Sequence, residues 1–165
     1  QFKWPELPIQ WTKKNNLHIT LAFLGYLRED EIVEILQLTK ETVSKNQPFL
    51  VRLERICYGP TDKKPPRMIW VEGERTDELA DLKQDLQEYL VEKINFRPEG
   101  KGFTPHITLA RIKEWQWKKI EPEERPEVNG EIDLTFTVES IEVEESELKR
   151  GGPEYTILES CQLSN

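Results

Sequence analysis

An α+β fold is predicted by two features of this 165-residue sequence. Segments whose apolar residues recur at helical spacing alternate with short apolar or alternating segments that are typical of strands. A helix followed by strands occurs in each half of the chain, and each half contains the same four residues, His-Ile-Thr-Leu. We therefore expect an internal duplication and an α+β sandwich in which two matched halves face each other across a cleft.

The first half predicts the order strand, helix, strand, strand. Residues 17–24 are an apolar run, which is typical of a buried strand. Residues 29–45 have apolar side chains at nearly helical spacing and acidic residues in the first turn, where they favour a helix. Alternation over residues 49–55 and the apolar run 68–71 predict two strands, joined by a loop at residues 59–66.

The second half partly repeats this order. Residues 77–93 predict an amphipathic helix, with Thr76 as its N-cap. A strand is expected over residues 103–111, which include the second His-Ile-Thr-Leu, followed by a polar loop with two tryptophans. Three further strands are expected at residues 132–138, 140–145 and 155–163, with a turn at Gly151-Gly152-Pro153 before the last of them.

Length and composition favour one domain over residues 1–165. No stretch has the length of apolar residues that a membrane-spanning helix needs, and residues 1–5 lack the pattern of a secretory signal. We therefore expect a cytoplasmic protein without a membrane partner. Cys57 and Cys161 stand far apart in isolated contexts, so we expect small core residues and no disulfide framework.

The net charge of −8 argues against long contacts along a nucleic-acid backbone, because such binding depends on neutralising many phosphates. Recognition of one terminal phosphate remains compatible with it. Several basic residues do flank the two motifs and a central loop: Lys13, Lys14, Lys63, Lys64, Arg67, Lys101, Lys113, Lys118 and Lys119. They either form a basic rim for an RNA end or are ordinary surface lysines.

Both histidines of the chain lie in the repeated motif, at His18 and His106. Side chains alternate between the faces of a strand, so each histidine shares a face with the threonine two residues later, Thr20 or Thr108. If the two strands lie side by side, two imidazoles and two hydroxyls converge on one site. That set of groups is suited to a small tetrahedral anion such as a phosphate.

The two imidazoles can divide acid and base catalysis, since histidine gains and loses a proton near neutrality. One takes a proton from the attacking oxygen and the other gives a proton to the leaving oxygen, while Thr20 and Thr108 bind the other phosphate oxygens. Arg111 offers a planar guanidinium for the phosphate. Its odd offset from Thr108 places it on the opposite face of a regular strand, so this role requires a twist or the end of the strand there.

Two alternatives compete with this interpretation. Histidines can bind zinc, but a catalytic site needs three protein ligands, and the sequence has no His-Glu-x-x-His or Cys-x-x-Cys. We therefore expect no metal. The motifs can also serve as a phosphate clamp in a non-catalytic nucleotide-binding module. Trp115 and Trp117 either stack on a base of the substrate or, as we prefer, pack on the core; on a strand they share one face.

Three segments resemble the two-histidine phosphoesterase superfamily, most closely the LigT-like RNA 2′,3′-cyclic phosphodiesterases, also called 2′-5′ RNA ligases. They are residues 16–25, residues 105–111 and the tail from Glu145 to Tyr155. The resemblance implies a bilobal fold of antiparallel sheets with outer helices around a central cleft. It also implies hydrolysis of a terminal 2′,3′-cyclic phosphate to a 2′-phosphate without metal or other cofactor, and reversible joining of RNA ends through a 2′-5′ bond.

The resemblance also assigns roles. His18 is similar to the donor that protonates the leaving 3′ oxygen and His106 to the base that activates water, while Thr20, Thr108 and Arg111 bind the phosphate. The expected partners are RNA ends, transfer RNA halves among them, or small nucleotides, and the expected form is a monomer. Cleavage of 2′-5′ oligonucleotides or a small cyclic nucleotide is the alternative activity. Members of this family begin with a strand and a helix that we expect to be missing here.

Overall fold

Helices and antiparallel strands succeed one another along the chain, which confirms the α+β class. The computed structural model describes residues 7–60, 64–94, 96–98, 102–150 and 152–164. Within these ranges the elements are β1 (Ile9–Trp11), α1 (Glu29–Val43), β2 (Phe49–Gly59), β3 (Met68–Gly73), α2 (Asp77–Ile94), β4 (His106–Ile112), α3 (Glu114–Trp117), β5 (Asn129–Val138), β6 (Ser140–Lys149) and β7 (Gly152–Gln162).

The first of two compact units is built on a sheet. It comprises the described residues of Gln1–Ile19, Arg52–Glu74 and Thr104–Leu134. The sheet has five strands in the order β1-β4-β3-β2-β5, and β4 is antiparallel to both of its neighbours. The second motif therefore lies on an interior strand, and its residues 106–108 pair with β3.

The two faces of this sheet differ in character. Ile69, Val71 and Ala110 alternate with their neighbours and are buried on one face, which forms the core of the unit. Met68 and Glu72 are on the opposite face of β3 and are only half-buried. We call this opposite face the polar face, since the candidate site lies on it.

The second unit is built on two helices and a hairpin. It comprises the described residues of Thr20–Val51, Arg75–Phe103 and Thr135–Asn165. Helix α1 packs against α2 and against the two-stranded sheet of β6 and β7. The buried side chains of the two helices recur at helical spacing: Ile35, Leu38, Thr39, Thr42 and Val43 on α1, and Leu79, Leu82, Leu86 and Leu90 on α2.

Most of the predicted elements are confirmed. Both long helices are present, and the Thr76 hydroxyl accepts a hydrogen bond from the Leu79 amide at 3.3 Å, as expected of an N-cap. The strands predicted at residues 49–55, 68–71, 132–138, 140–145 and 155–163 are all present, although β2, β5, β6 and β7 are longer. Cys57 and Cys161 are buried and are not disulfide-bonded.

The strand predicted at residues 17–24 is wrong. Only Ile19 pairs, in an isolated antiparallel bridge with Ile107. The same edge of β4 is occupied by β1, and the chain between β1 and Ile19 leaves the sheet through a 3-10 turn at Lys14–Asn16. Phe23, near the end of the apolar run, is 70% exposed. The apolar side chains of this segment are therefore not sufficient to predict that it pairs along its length in a sheet.

Two details of the second half also differ from the prediction. Strand β4 begins at His106, three residues later than expected, since Pro105 has no amide hydrogen to donate to a neighbouring strand. Trp115 and Trp117 lie on the helical turn α3 and do not share one face: Trp115 is 62% exposed and Trp117 is 2% exposed. Gly151 of the expected turn lies outside the described residues.

The two units do not coincide with the two halves of the sequence. Both long helices belong to the second unit, and both histidines belong to the first. In the described part of the chain, no helix is long and apolar enough to cross a membrane.

Candidate active site

The second motif lies on β4, beside β3. In the antiparallel register His106 is opposite Glu72 and Thr108 is opposite Trp70. Opposite residues of antiparallel strands point to the same face. His106 and Thr108 therefore share the polar face, which confirms the arrangement expected from their spacing.

Arg111 reaches the same face because β4 contains a bulge. The register between β4 and β3 shifts by one residue at Leu109, so Thr108 is opposite Trp70 and Arg111 is opposite Met68. Met68 and Trp70 are two residues apart and share a face. A bulge reverses the alternation of side chains, and it supplies here the irregularity that the role of Arg111 requires.

One sulfur atom is close to both potential phosphate ligands. The Thr108 hydroxyl Oγ1 and the Arg111 guanidinium Nη1 each lie 3.9 Å from Met68 Sδ. A thioether is a weak acceptor. The two donors therefore lose little hydrogen-bond stabilisation when an anion takes the place of the sulfur as their acceptor. Thr108 and Arg111 thus share one neighbour on the polar face.

The two histidines make the same local hydrogen bond. His18 Nδ1 lies 3.0 Å from the carbonyl oxygen of Asn16, and His106 Nδ1 lies 2.8 Å from that of Thr104. A carbonyl oxygen only accepts, so Nδ1 carries the hydrogen in each ring. In the neutral imidazole Nε2 then has the lone pair, and in the protonated one Nε2 donates. Nε2 is thus the nitrogen through which each ring would exchange a proton.

The bridge between Ile19 and Ile107 brings the first motif beside the second. This antiparallel register places His18 level with Thr108, and both lie on the face opposite the two isoleucines. His18 and His106 are then diagonal neighbours across this bridge.

Thr20 belongs to the second unit. There, Lys83 of α2 donates a hydrogen bond of 2.7 Å to the carbonyl oxygen of Leu21, directly after Thr20. Lys83 Nζ also lies 4.8 Å from the centre of the Phe103 ring. The Lys83 side chain thus bonds to the backbone of a segment, residues 17–24, that the sequence predicts as a strand.

Sequence reasoning missed an aromatic contact to the second histidine. The Trp70 indole stacks on the His106 imidazole, with ring centroids 3.7 Å apart and an interplanar angle of 21°. Trp70 was assigned only to an apolar strand. The available signal is its place in the apolar run at residues 68–71, but identifying its partner requires the register with β4.

The expected basic rim is only partly described, because Lys63 and Lys101 lie outside the described residues. Two other members have partners on their own turn: Lys118 forms an ion pair of 2.6 Å with Glu114, and Lys119 Nζ lies 4.8 Å from the centre of the Trp115 ring. These two lysines therefore behave as ordinary surface residues.

A groove of about 810 Å³ also opens on the first unit. Its arginines are paired with acidic side chains, Arg52 with Asp133 at 3.0 Å and Arg55 with Glu72 at 2.5 Å. Four acidic residues and two basic ones line the groove, so its charge is unfavourable for a phosphate. Among the described residues, no group of three or more His, Cys, Asp or Glu side chains forms a metal site.

Comparisons with known proteins give matches over most of this chain. The family model of the 2′-5′ RNA ligase superfamily matches residues 8–150. A protein of Aquifex aeolicus named RNA 2′,3′-cyclic phosphodiesterase is 30% identical over 155 residues, which are 93% of this chain and 81% of that protein. A protein of Thermotoga maritima with the same name is 33% identical over 156 residues, 93% of this chain and 79% of its own.

Solved structures show the same fold. A crystal structure from Thermus thermophilus aligns with a TM-score of 0.80 at 30% identity and covers 96% of this chain and 84% of its own. LigT of E. coli, crystallised with 3′-AMP, aligns with a TM-score of 0.73 at 24% identity and covers 98% of this chain and 84% of its own. The family model and the relatives agree in sequence and fold, and the chain belongs to the 2′-5′ RNA ligase superfamily.

Proposed function

We propose that this protein is an RNA 2′,3′-cyclic phosphodiesterase that opens a terminal 2′,3′-cyclic phosphate to a 2′-phosphate. The observation that carries the proposal is the pair of imidazoles with identical Nδ1 hydrogen bonds, His18 to Asn16 and His106 to Thr104. Relatives at 30% and 33% identity that bear this name support the substrate. The family also makes the protein an enzyme acting on phosphodiester bonds.

The reaction needs one base and one acid. His106 accepts a proton from water through Nε2 as the water oxygen attacks phosphorus, and His18 gives its Nε2 proton to the 3′ oxygen as the bond from phosphorus to that oxygen breaks. The products are a 2′-phosphate and a 3′-hydroxyl. The reaction leaves the two protonation states exchanged, and proton exchange with solvent restores them.

The remaining phosphate oxygens need donors, because negative charge increases on them as the water attacks. Thr108 and Arg111 provide a hydroxyl and a guanidinium, and both lie 3.9 Å from a sulfur atom that an anion readily replaces. The motif assigns the same role to Thr20. The acid and base act without a metal in this scheme.

The decisive experiment uses a short RNA with a 2′,3′-cyclic phosphate and compares the wild type with His18→Gln and His106→Gln. Glutamine keeps a hydrogen-bonding side chain but cannot exchange a proton near pH 7. We expect kcat to fall about 10²–10⁴-fold in each variant, and mass spectrometry with a phosphatase assay to identify a 2′-phosphate in the wild-type reaction. A chelator in every assay tests for dependence on metal.

Binding of an RNA that already carries a 2′-phosphate provides the control. If the variants bind it within a few-fold of the wild type, the loss of kcat belongs to chemistry and not to folding. A wild type that binds this RNA tightly but does not turn over the cyclic phosphate would instead identify a phosphate clamp.

The same site can join RNA ends. A 5′-hydroxyl takes the place of water, attacks phosphorus and forms a 2′-5′ phosphodiester, while the 3′ oxygen leaves with the proton from His18. RNA ends of this kind, transfer RNA halves among them, are the substrates that we propose, and the enzyme acts on them as a cytoplasmic monomer. Gel filtration with light scattering tests the monomer.

A further inference from the structure

We infer that Trp70 is a positioning residue for His106 and that Gly59 makes its position possible. The inference rests on the proposed function, since it assigns a support to the proposed base. It begins from the stacked rings of Trp70 and His106, which are 3.7 Å apart at an angle of 21°.

Two contacts together define where His106 Nε2 lies. The stacked indole sets the plane of the imidazole, and the hydrogen bond from Nδ1 to the Thr104 carbonyl sets one point within that plane. A ring with a fixed plane and one fixed point cannot rotate about either of its side-chain torsions without losing a contact. A base that is already oriented reacts faster than one that must be ordered for each turnover.

Trp70 is itself held firmly. Its side chain is 8% exposed, although it belongs to the polar face of the sheet, and its strand is paired on both sides. The opposite residue on β4 is Thr108, so the backbone of Trp70 supports a second residue of the proposed site. An indole buried in this way has few alternative rotamers and transmits its own position to the imidazole.

Gly59 on β2 provides the space for the indole. A Cβ atom added at Gly59 would overlap the ring, 2.6 Å from Cε3 and closer still to Cδ2 and Cε2 of Trp70. Contacts this short do not occur, so any larger residue at this position must displace the tryptophan. The positioning thus extends over three adjacent strands, from Gly59 through Trp70 to His106.

The test compares Trp70→Leu, Trp70→Phe and Gly59→Ala with the wild type. We expect Trp70→Leu to lower kcat by about 10-fold to 100-fold with KM within about twofold, because the misplaced base affects chemistry more than binding. Phenylalanine keeps an aromatic face and should recover most of the loss. Gly59→Ala should lower kcat like Trp70→Leu, and adding it to Trp70→Leu should lower kcat no further, since the leucine leaves room for the methyl group.

An NMR measurement distinguishes the possible failures. In the wild type the indole ring current should shift the ring protons of His106 upfield, and that shift should disappear in Trp70→Leu and diminish in Gly59→Ala. If the wild type has the ring-current shift but no turnover, the proposed function fails. If the wild type turns over and Trp70→Leu, folded by circular dichroism, keeps its kcat, or Gly59→Ala adds its full effect in the leucine background, the positioning role is wrong.

Discussion

Thr108 and Arg111 approach the same atom, Met68 Sδ, at 3.9 Å each, although Arg111 follows Thr108 by three positions on β4. The shared position follows from the bulge at Leu109, which turns both side chains to one face of the sheet. A local irregularity of one strand thus creates a pair of donors that a regular strand would divide between two faces.

Replacing Arg111 should weaken phosphate binding. We expect Arg111→Met to raise the dissociation constant for an RNA with a 2′-phosphate by about 10-fold or more, because a hydrogen bond to a charged group contributes about 1.5–3 kcal/mol. Arg111→Lys should show an intermediate loss, since lysine keeps the charge but not the planar fork. Calorimetric titration measures the constants.

Arg97 offers the matched control, because it is an exposed arginine that lies outside both motifs. Arg97→Met should bind the same RNA as well as the wild type does. Equal binding by Arg111→Met and the wild type would contradict the assignment of Arg111 to the phosphate.

Lys83 should matter to catalysis through the backbone beside Thr20. Lys83→Met keeps the apolar part of the side chain but removes the donor to the Leu21 carbonyl. We expect kcat/KM to fall by about 10-fold, the equivalent of about 1.4 kcal/mol, because the carbonyl loses a charge-assisted partner and the segment becomes less ordered. Steady-state kinetics with the cyclic-phosphate RNA measures this.

The control for this variant is Lys93→Met on the same helix. Lys93 is 43% exposed and pairs with the neighbouring Glu92 at 3.0 Å. Its replacement should leave kcat/KM unchanged. A similar loss in both variants would mean that the effect of Lys83 comes from general charge and not from its hydrogen bond.

Leu82 should be a major source of stability in the second unit. Its side chain is fully buried on α2, so we expect Leu82→Ala to lower the free energy of unfolding by about 2–5 kcal/mol through the lost apolar contacts and the cavity. Urea denaturation measures the change. Val91→Ala, on the exposed side of the same helix, should change the free energy of unfolding by less than about 0.5 kcal/mol. Equal effects of the two substitutions would contradict the burial of Leu82 in the packing of α2.

Stability should decrease in alkaline solution partly because of Cys57. Burial raises the pKa of the Cys57 thiol from an ordinary value of 9.0 to about 11, with Glu72 as a further cause. The unfolded chain therefore releases this proton before the folded protein does, and the free energy of unfolding falls as pH rises between 9 and 11. In Cys57→Ala this part of the decrease should be absent.

Tyr58 limits the pH range in which the effect of Cys57 can be measured, and its replacement is the control. Burial raises the pKa of Tyr58 from 10.0 to about 12, so its own contribution begins near pH 10. Denaturation curves at several pH values from 8 to 10 should therefore show a shallower decrease for Cys57→Ala and an unchanged one for Tyr58→Phe. Identical slopes for Cys57→Ala and the wild type would contradict the raised pKa of the thiol.

The helices and most strands could be predicted because their signals are local. Leu79, Leu82 and Leu86 recur at helical spacing, and Thr76 is a suitable residue for capping, whatever lies nearby. The strand predicted at residues 17–24 failed for the opposite reason. Its apolar side chains were correctly noted, but pairing depends on whether a neighbouring edge is available, and β1 occupies much of the edge of β4.

The candidate site also has features that the sequence predicts locally and features that depend on contacts between distant parts of the chain. The amino-acid sequence by itself predicted the residues, since two histidines in identical motifs and a following arginine indicate chemistry at a phosphate before any fold is known. Only the tertiary structure decided which face Arg111 occupies and that Trp70 stacks on His106 over the space left by Gly59. Both depend on the register between strands far apart in sequence, which is set by the packing of whole side chains and not by local spacing.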